Sequence, residues 1–364
     1  MNNPSLLYYM IRIILFPFSF LFGIITFLRN KLYDWKCIPS VHYNDIYVVS
    51  VGNITVGGTG KTPFVEYLLR MLSPKYQVAV LSRGYKRKTK GFRFADNNVT
   101  PDELGDEPYQ IKKKFPNVVV AVDTDRVEGI AIIRKTYPDT QIILLDDAFQ
   151  YRKIKPNLSI LLADYSRPLY NDSMLPGGRL REWKFFAKRA DIMVVTKTPD
   201  AITPVEQRNM QLEYSRSFPN DIFFSSIGYE EPTPVFANGN PLSSADFPQY
   251  EMLLVTGIAH PKPFETYIRQ HASSVQTISF PDHHHFSEKD ITQISEKWAE
   301  NQTISKIILT TEKDAVRLQQ MKIPETIISY MYYLPIELFF PDQTFMDKLS
   351  KIIDERHRTM NVDP

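Results

Sequence analysis

Lys61 and Thr62 close a glycine-rich run, Gly52-Asn53-Ile54-Thr55-Val56-Gly57-Gly58-Thr59-Gly60-Lys61-Thr62-Pro63, whose spacing suits the grip of a phosphate chain. Glycines let the backbone curl until successive N–H groups converge on an anion, and a following helix adds the positive end of its dipole. In such a P-loop the lysine reaches the β- and γ-phosphates of a nucleoside triphosphate and the hydroxyl ligates Mg2+. Thr55, Val56, Gly57, Gly58, Thr59, Gly60, Lys61 and Thr62 are therefore the candidate nucleotide-binding residues. Thr55 stands where the usual pattern opens with glycine.

A magnesium–nucleotide site also needs a carboxylate at the end of a neighbouring strand. The apolar run Ile142-Ile143-Leu144-Leu145 leads straight into Asp146 and Asp147. Side chains alternate along a strand, so one aspartate can face the metal while the other turns to the substrate or a loop. Asp146 joins Thr62 as the candidate metal ligand, and both aspartates join Lys61 as catalytic candidates.

The nucleotide's use is narrower than its binding. A GTP switch protein carries Asn-Lys-x-Asp after a later strand, whereas this chain has Thr196-Lys197-Thr198-Pro199-Asp200. A kinase must activate an acceptor hydroxyl. Gly105-Asp106-Glu107-Pro108 puts two carboxylates at a helix start, where they are either ordinary N-terminal acids or a base. Phe280-Pro281-Asp282-His283-His284-His285-Phe286 holds three of the seven histidines. Consecutive side chains converge poorly on one ion, and no cysteine set completes a zinc site. A histidine paired with Asp106 across a cleft, or a solvated loop, are the two readings. A P-loop ATPase that couples hydrolysis to a binding event is the competing function.

Those residues need a scaffold. Apolar strand patterns recur at Tyr47–Val51, Val78–Leu81, Val118–Val122, Ile142–Leu145, Ser159–Leu162 and Ile192–Val195, with helices at Thr62–Leu72, Pro108–Lys114 and Arg126–Arg134. This alternation predicts a doubly wound, mostly parallel α/β sheet. After a Pro- and Gly-rich boundary near 230, strands are expected at Met252–Thr256, Ser274–Ser279, Ile304–Thr310 and Thr326–Tyr330. Helices there are expected at Pro263–Gln270, Glu288–Ala299 and Lys313–Gln319, giving a second, smaller α/β lobe.

Composition fits this picture. At 364 residues, with 43% hydrophobic and 23% charged residues, the chain has material for a large core. A formal charge of +2 argues against nucleic-acid binding, and the single cysteine, Cys37, excludes an intrachain disulfide. Ile13 to Leu28 carries no charge and is rich in Phe, Ile and Leu, flanked by Arg12, Arg29 and Lys31. It falls short of the roughly 18–20 residues of a clear span. The favoured reading is a helix lying in or dipping into a bilayer, its basic flanks reaching headgroups; a buried helix or a true span are the alternatives. Basic runs at Arg83–Arg93 and Arg179–Arg189 suit anionic headgroups or a phosphorylated lipid, and Trp183, Phe185 and Phe186 suit acyl chains.

Taken in order, the motifs resemble a known family. The apolar N-terminal segment, Val51 to Pro63, Leu81-Ser82-Arg83-Gly84-Tyr85, Gly105 to Pro108 and Asp146-Asp147-Ala148-Phe149-Gln150 are followed by Leu175 to Glu182, Phe280 to His283 and Thr311 to Leu318. This set, running to about residue 320, resembles the tetraacyldisaccharide 4'-kinases, the lipid A 4'-kinases of Gram-negative bacteria. The resemblance implies transfer of the γ-phosphate of ATP, with Mg2+, to the 4'-hydroxyl of a tetraacyldisaccharide 1-phosphate, giving lipid IVA. It implies an acid–base pair of Asp106 and His283, and acceptor-side roles for Arg181 and Glu182. It also implies a peripheral or monotopic enzyme on the cytoplasmic face of the inner membrane, with no nucleic acid and no obligate protein partner. Residues 1–35 are then the membrane-associating segment, 36–229 the P-loop kinase domain, and 230–364 a smaller lobe closing over the cleft. The family more often reads Gly-Phe-Gln-His where this chain has Ala148-Phe149-Gln150-Tyr151, so the usual histidine's contacts must be met differently here.

Overall fold

The first sheet is built from short runs of aliphatic residues that are buried on both faces, the pattern of parallel strands covered by helices. The structure is a computed structural model that describes residues 6–96, 98–237, 239–282, 284–300 and 305–360. In chain order its first part runs α1 (Leu6–Asp34), β1 (Tyr47–Gly52), α2 (Lys61–Leu72), β2 (Val78–Ser82), β3 (Arg93–Phe94), α3 (Pro101–Leu104), α4 (Asp106–Lys114), β4 (Val119–Val122) and α5 (Arg126–Thr136). It continues with β5 (Ile142–Asp146), β6 (Leu158–Asp164), β7 (Ile192–Thr196), α6 (Pro204–Ser215) and β8 (Asp221–Phe224).

These strands form one sheet in the order β3-β4-β2-β5-β1-β6-β7-β8, parallel throughout except for β3 against β4. The winding reverses beside β1, whose neighbours are β5 and β6. Ligands of open α/β sheets bind at the carboxyl ends of strands at such a reversal. The register brings Val51 level with Asp146, so the glycine-rich loop and the acidic pair leave the sheet side by side. One core cluster gathers Val48, Leu81, Ile130, Ile133, Ile143 and Leu145; another gathers Ile54, Leu161, Met193, Val195, Tyr214 and Phe218.

The chain then forms β9 (Ser226–Tyr229), β10 (Thr233–Pro234), β11 (Glu251–Thr256), α7 (Lys262–His271), β12 (Ser274–Ser279), α8 (Glu288–Glu300), β13 (Lys306–Thr311) and α9 (Glu312–Leu318). It ends with α10 (Glu325–Ile328), β14 (Met331–Leu334), β15 (Ile336–Phe339) and α11 (Thr344–Met360). A second sheet has the order β10-β14-β13-β11-β12, parallel except for β10. Along β11, Leu253 and Val255 face one core cluster and Met252 and Leu254 the other, the two-residue period of a strand covered on both sides.

Three expectations need correction. The strand expected at Thr326–Tyr330 is a helical turn, α10, and the strand follows at Met331–Leu334. Pro324, at φ −59°, starts the turn, which buries Ile327, while Met331 takes the register opposite Ile308. The chain separates into two compact units, Met1–Val99 with Ile111–Ile227 and Leu338–Pro364, and Thr100–Gln110 with Gly228–Glu337. Residues 338–360 therefore fold with the first unit, not with the expected 230–364 lobe: the ring of Phe345 on α11 packs 5.9 Å from that of Phe64 on α2. Conversely, residues 100–110 leave the expected 36–229 domain and carry Asp106 into the second unit.

Candidate active site

The loop between β1 and α2 is held by polar contacts on both flanks. Asn53, fully buried, donates Nδ2 to Thr59 Oγ1 at 2.8 Å and so ties the two ends of the loop. On one flank Val56 N–H donates to Arg179 at 2.9 Å and Arg181 N–H donates to Ile54 at 2.7 Å. Thr55 forms an isolated antiparallel bridge with Leu180 there and has no positive φ, so this position has no need of glycine. On the other flank Thr196 Oγ1 donates to the Thr59 carbonyl at 2.9 Å. Gly60 takes φ 75° as the residue before α2, a left-handed conformation that glycine adopts without steric cost. Pro63 lies in the first turn of α2, where a missing N–H breaks no helical bond. Among the described residues no atom comes within 4 Å of where a Cβ on Gly58 would stand, and at Gly57 only Arg167 Nη1 does, at 3.9 Å. A side chain at Gly58 would meet open space.

Asp146 and Asp147 diverge as strand alternation requires, and more sharply. Asp146 ends β5 buried and accepts from Ser82 Oγ at 3.2 Å. Asp147 turns off the strand at φ 48°, a region uncommon for non-glycine residues and frequent at functional sites. That turn carries its carboxylate to 3.6 Å from Lys61 Nζ and 3.4 Å from Arg181 Nη1. Gln150 accepts from Arg181 at 3.4 Å and donates to the Asn53 carbonyl at 2.6 Å, linking the acidic pair to the loop. Lys61, Asp147, Arg181 and Gln150 are thus one connected group.

Tyr151 has its own use. Its hydroxyl donates to Asp125 Oδ1 at 2.7 Å and accepts the Arg126 N–H at 3.0 Å, at the start of α5. Asp125, which also caps α5 through the Val127 N–H, is held at about 2 by the Tyr151 hydroxyl first and Lys153 second. Burial and the bonded Asp125 carboxylate push Tyr151 itself up to about 12. Arg126, 3% exposed, lies over the Tyr151 ring at 5.3 Å. Burial pulls its guanidinium below the usual value while Asp146 opposes that pull. The sequence assigns no individual role to Arg126, or to Ser82 within its motif, because Tyr151 and Asp146 lie 25 and 64 residues away from them.

Asp106 sits at the start of α4 and forms an ion pair with Arg317, which is itself bonded to Asp314 at 3.4 Å. Asp314 is fully buried and accepts from the Gly257 N–H at 2.8 Å and Thr311 Oγ1 at 2.7 Å; burial raises its carboxyl despite these bonds. Lys313 approaches Glu107 at 3.6 Å. The Thr311 to Leu318 motif therefore anchors the Asp106 segment. The expected partner His283 lies outside the described residues. Asp106 and the 280–286 segment share one unit, so the expectation that they meet from opposite lobes does not hold. His284 stacks on Phe280 and bonds Asp290 at 3.0 Å, a carboxylate it shares with Ser287 at the start of α8.

Glu182, expected on the acceptor side, is 1% exposed and accepts from Asn30 Nδ2 on α1 and from Arg189, both at 2.8 Å. Ser19, Gly23 and Asn30 make a buried small and polar stripe along α1. A Cβ on Gly23 would stand 2.6 Å from the Trp183 ring, so only glycine allows this approach. Ile13, Phe16, Phe18, Phe20, Leu21 and Ile25 face outward, each more than half exposed. Arg12 and Arg29, expected to reach headgroups, bond Ser173 Oγ and the Gln150 carbonyl.

Known proteins carry the same plan. A family model described as Tetraacyldisaccharide-1-P 4'-kinase (LpxK) matches residues 11–354. The tetraacyldisaccharide 4'-kinase of Parabacteroides distasonis is 44% identical over 357 residues, covering 94% of this chain and 95% of that protein. That of Flavobacterium johnsoniae is 44% identical over 331 residues, covering 91% and 93%. A crystal structure of Aquifex aeolicus LpxK in complex with ATP matches with a TM-score of 0.74 and 29% identity, covering 95% of this chain and 99% of that one. With the match spanning nearly the whole chain in sequence and in fold, the chain belongs to the tetraacyldisaccharide-1-P 4'-kinase family.

Proposed function

We propose that the loop from Thr55 to Thr62 is a P-loop that holds the triphosphate for the family's reaction. As a member of that family the chain is an ATP-dependent kinase that phosphorylates tetraacyldisaccharide 1-phosphate to form lipid IVA. The observation that carries the site reading is the joining of Lys61, Asp147 and Arg181 beside the glycine-rich loop.

In this reading the acceptor 4'-hydroxyl oxygen attacks the γ-phosphorus, the bridging bond to the β-phosphate breaks, and ADP leaves. Lys61 and the loop N–H groups stabilise the charge that develops on the phosphoryl oxygens. Asp106 is the base that takes the hydroxyl proton in this reading, with His283 as its partner. Asp147 orients Lys61 and Arg181 through the contacts already described.

Thr62, in the first turn of α2, and Asp146, at the end of β5, offer the two oxygen donors for Mg2+. Among the described residues no group of three or more His, Cys, Asp or Glu is placed to hold a metal ion. Two protein oxygens, completed by phosphate and water, suit Mg2+. The ion would neutralise charge between the β- and γ-phosphates.

The outward apolar face of α1 supports a peripheral or monotopic place on the cytoplasmic face of the inner membrane, with the polar stripe turned to the protein. Neither nucleic acid nor an obligate protein partner enters this reading. The direct test of the site is ATP binding by the full chain and by Lys61→Ala, titrated with Mg2+ present. A large loss in the variant supports the loop as the triphosphate site, and equal affinity overturns it.

A further inference from the structure

Lys197 belongs to the stretch that lacks the asparagine and the spacing of a guanine-reading motif, yet it is not an idle surface lysine. It follows β7 at φ 59°, a conformation that side chains other than glycine adopt rarely. From there its Nζ donates to the Gly58 carbonyl of the glycine-rich loop and, at 2.8 Å, to Asp164 Oδ2 at the end of β6. Asp164 is 6% exposed and is fixed in turn by the Ser166 N–H and hydroxyl, at 2.9 and 2.6 Å. The preceding residue, Thr196, is fully buried and donates Oγ1 to the Thr59 carbonyl at 2.9 Å.

Two consecutive residues at the end of β7 therefore hold two consecutive carbonyls of the loop. A trans peptide is planar, with its C=O and the next N–H pointing in opposite directions. Drawing the Gly58 and Thr59 carbonyls toward β7 turns the N–H groups of Thr59 and Gly60 away from it. An anion in the curl of the loop needs donors with that orientation.

We propose that Lys197, with Thr196, is a positioning residue that sets the loop's N–H groups toward the phosphates of the nucleotide. The proposal rests on the reading of the loop as the ATP site. Asp164 holds the lysine in place, and the unusual φ at Lys197 is the local feature that brings the amine back over the loop.

The test compares wild type, Lys61→Ala, Lys197→Met and the double variant Asp164→Asn with Lys197→Met, as full chains in detergent. Melting temperature, ATP and ADP affinity, and KM for the lipid acceptor are measured on each. Lys197→Met alone strands a buried carboxylate, so a loss of stability is expected; Asp164→Asn removes that charge and restores melting. The double variant should still bind ATP and ADP about tenfold more weakly, the scale of one lost charge-assisted hydrogen bond. Its KM for the lipid should stay at the wild-type value.

ATP affinity restored in the double variant would overturn the proposal, reducing Lys197 to a counter-ion for Asp164. An equal rise in the lipid KM would overturn it too. If the double variant does not fold, Thr196→Val, nearly the same in shape, carries the test. A loss confined to ATP and ADP supports the tether, and unchanged affinity overturns it. Wild-type ATP affinity in Lys61→Ala would instead overturn the loop as the phosphate site.

Discussion

Lys61 Nζ stands 3.6 Å from Asp147 Oδ1, and Asp147 reaches that place through a backbone φ of 48°. The acidic residue beyond the strand is thus bent back on the loop lysine, while its neighbour Asp146 stays in the strand register beside Val51. Asparagine tolerates the left-handed region, so Asp147→Asn should melt close to wild type. Its turnover should fall about 100-fold, the scale of losing one aligned electrostatic partner in a transition state. Steady-state kinetics beside a melting curve checks both; unimpaired turnover removes Asp147 from the site.

Asp106→Asn separates chemistry from binding. Removing a general base lowers kcat by about 10²–10⁴-fold and leaves ATP affinity nearly unchanged. Arg317 keeps its bond to Asp314 in the variant, so the second unit should hold together. Equal losses of turnover and ATP affinity would count against the base.

Tyr151→Phe should show a pH-dependent loss of stability. Asp125 sits at about 2 in the fold against an ordinary 3.8, so on acidification the unfolded chain takes up its proton first. The stabilisation is therefore full above 3.8 and is lost as pH falls through about 2. Because the Tyr151 hydroxyl is the largest cause, the gap in melting temperature between wild type and variant should be widest above 3.8 and should close toward pH 2. Thermal melts across that range read it directly; a gap that grows with acid contradicts the assignment.

The two faces of α1 should respond differently. Glu182→Ala leaves the part-buried Arg189 and the fully buried Asn30 without their shared carboxylate and should cost about 3–5 kcal/mol, seen in chemical denaturation. Phe16→Glu with Phe20→Glu, on the outward face, should leave melting unchanged. Each lost apolar anchor is worth about 1.5–3 kcal/mol, so binding to anionic liposomes should drop by more than about tenfold. Unchanged flotation with liposomes would refute membrane contact by this face.

Much of this architecture was legible because apolar runs are local. The strand pattern at Tyr47–Val51 differs from the observed strand by one residue, and Ser274–Ser279 matches it fully. β10 is two residues long, β8 carries only Ile222-Phe223-Phe224 and is partly exposed, and α6 has only Met210 and Tyr214 buried. Long-range polar ties were illegible for a different reason. Arg317 meets Asp106 across 211 positions and Lys197 meets Gly58 across 139, and no period in the sequence encodes either. The motif implies an acceptor-side role for Glu182, and the bond by which it also braces α1, from Asn30, lies 152 positions away. The glycine-rich loop was plain in the sequence; its tethers on β7 were not.

The most direct measurement is the fate of the γ-phosphate. Purified full-length protein is incubated with γ-labelled ATP, Mg2+ and tetraacyldisaccharide 1-phosphate, with Lys61→Ala run alongside, and the label is traced to lipid or to free phosphate. Label in the 4'-phosphate of the lipid, lost in Lys61→Ala, is the predicted result. Label released only as inorganic phosphate, or lipid labelling undiminished in Lys61→Ala, would contradict it.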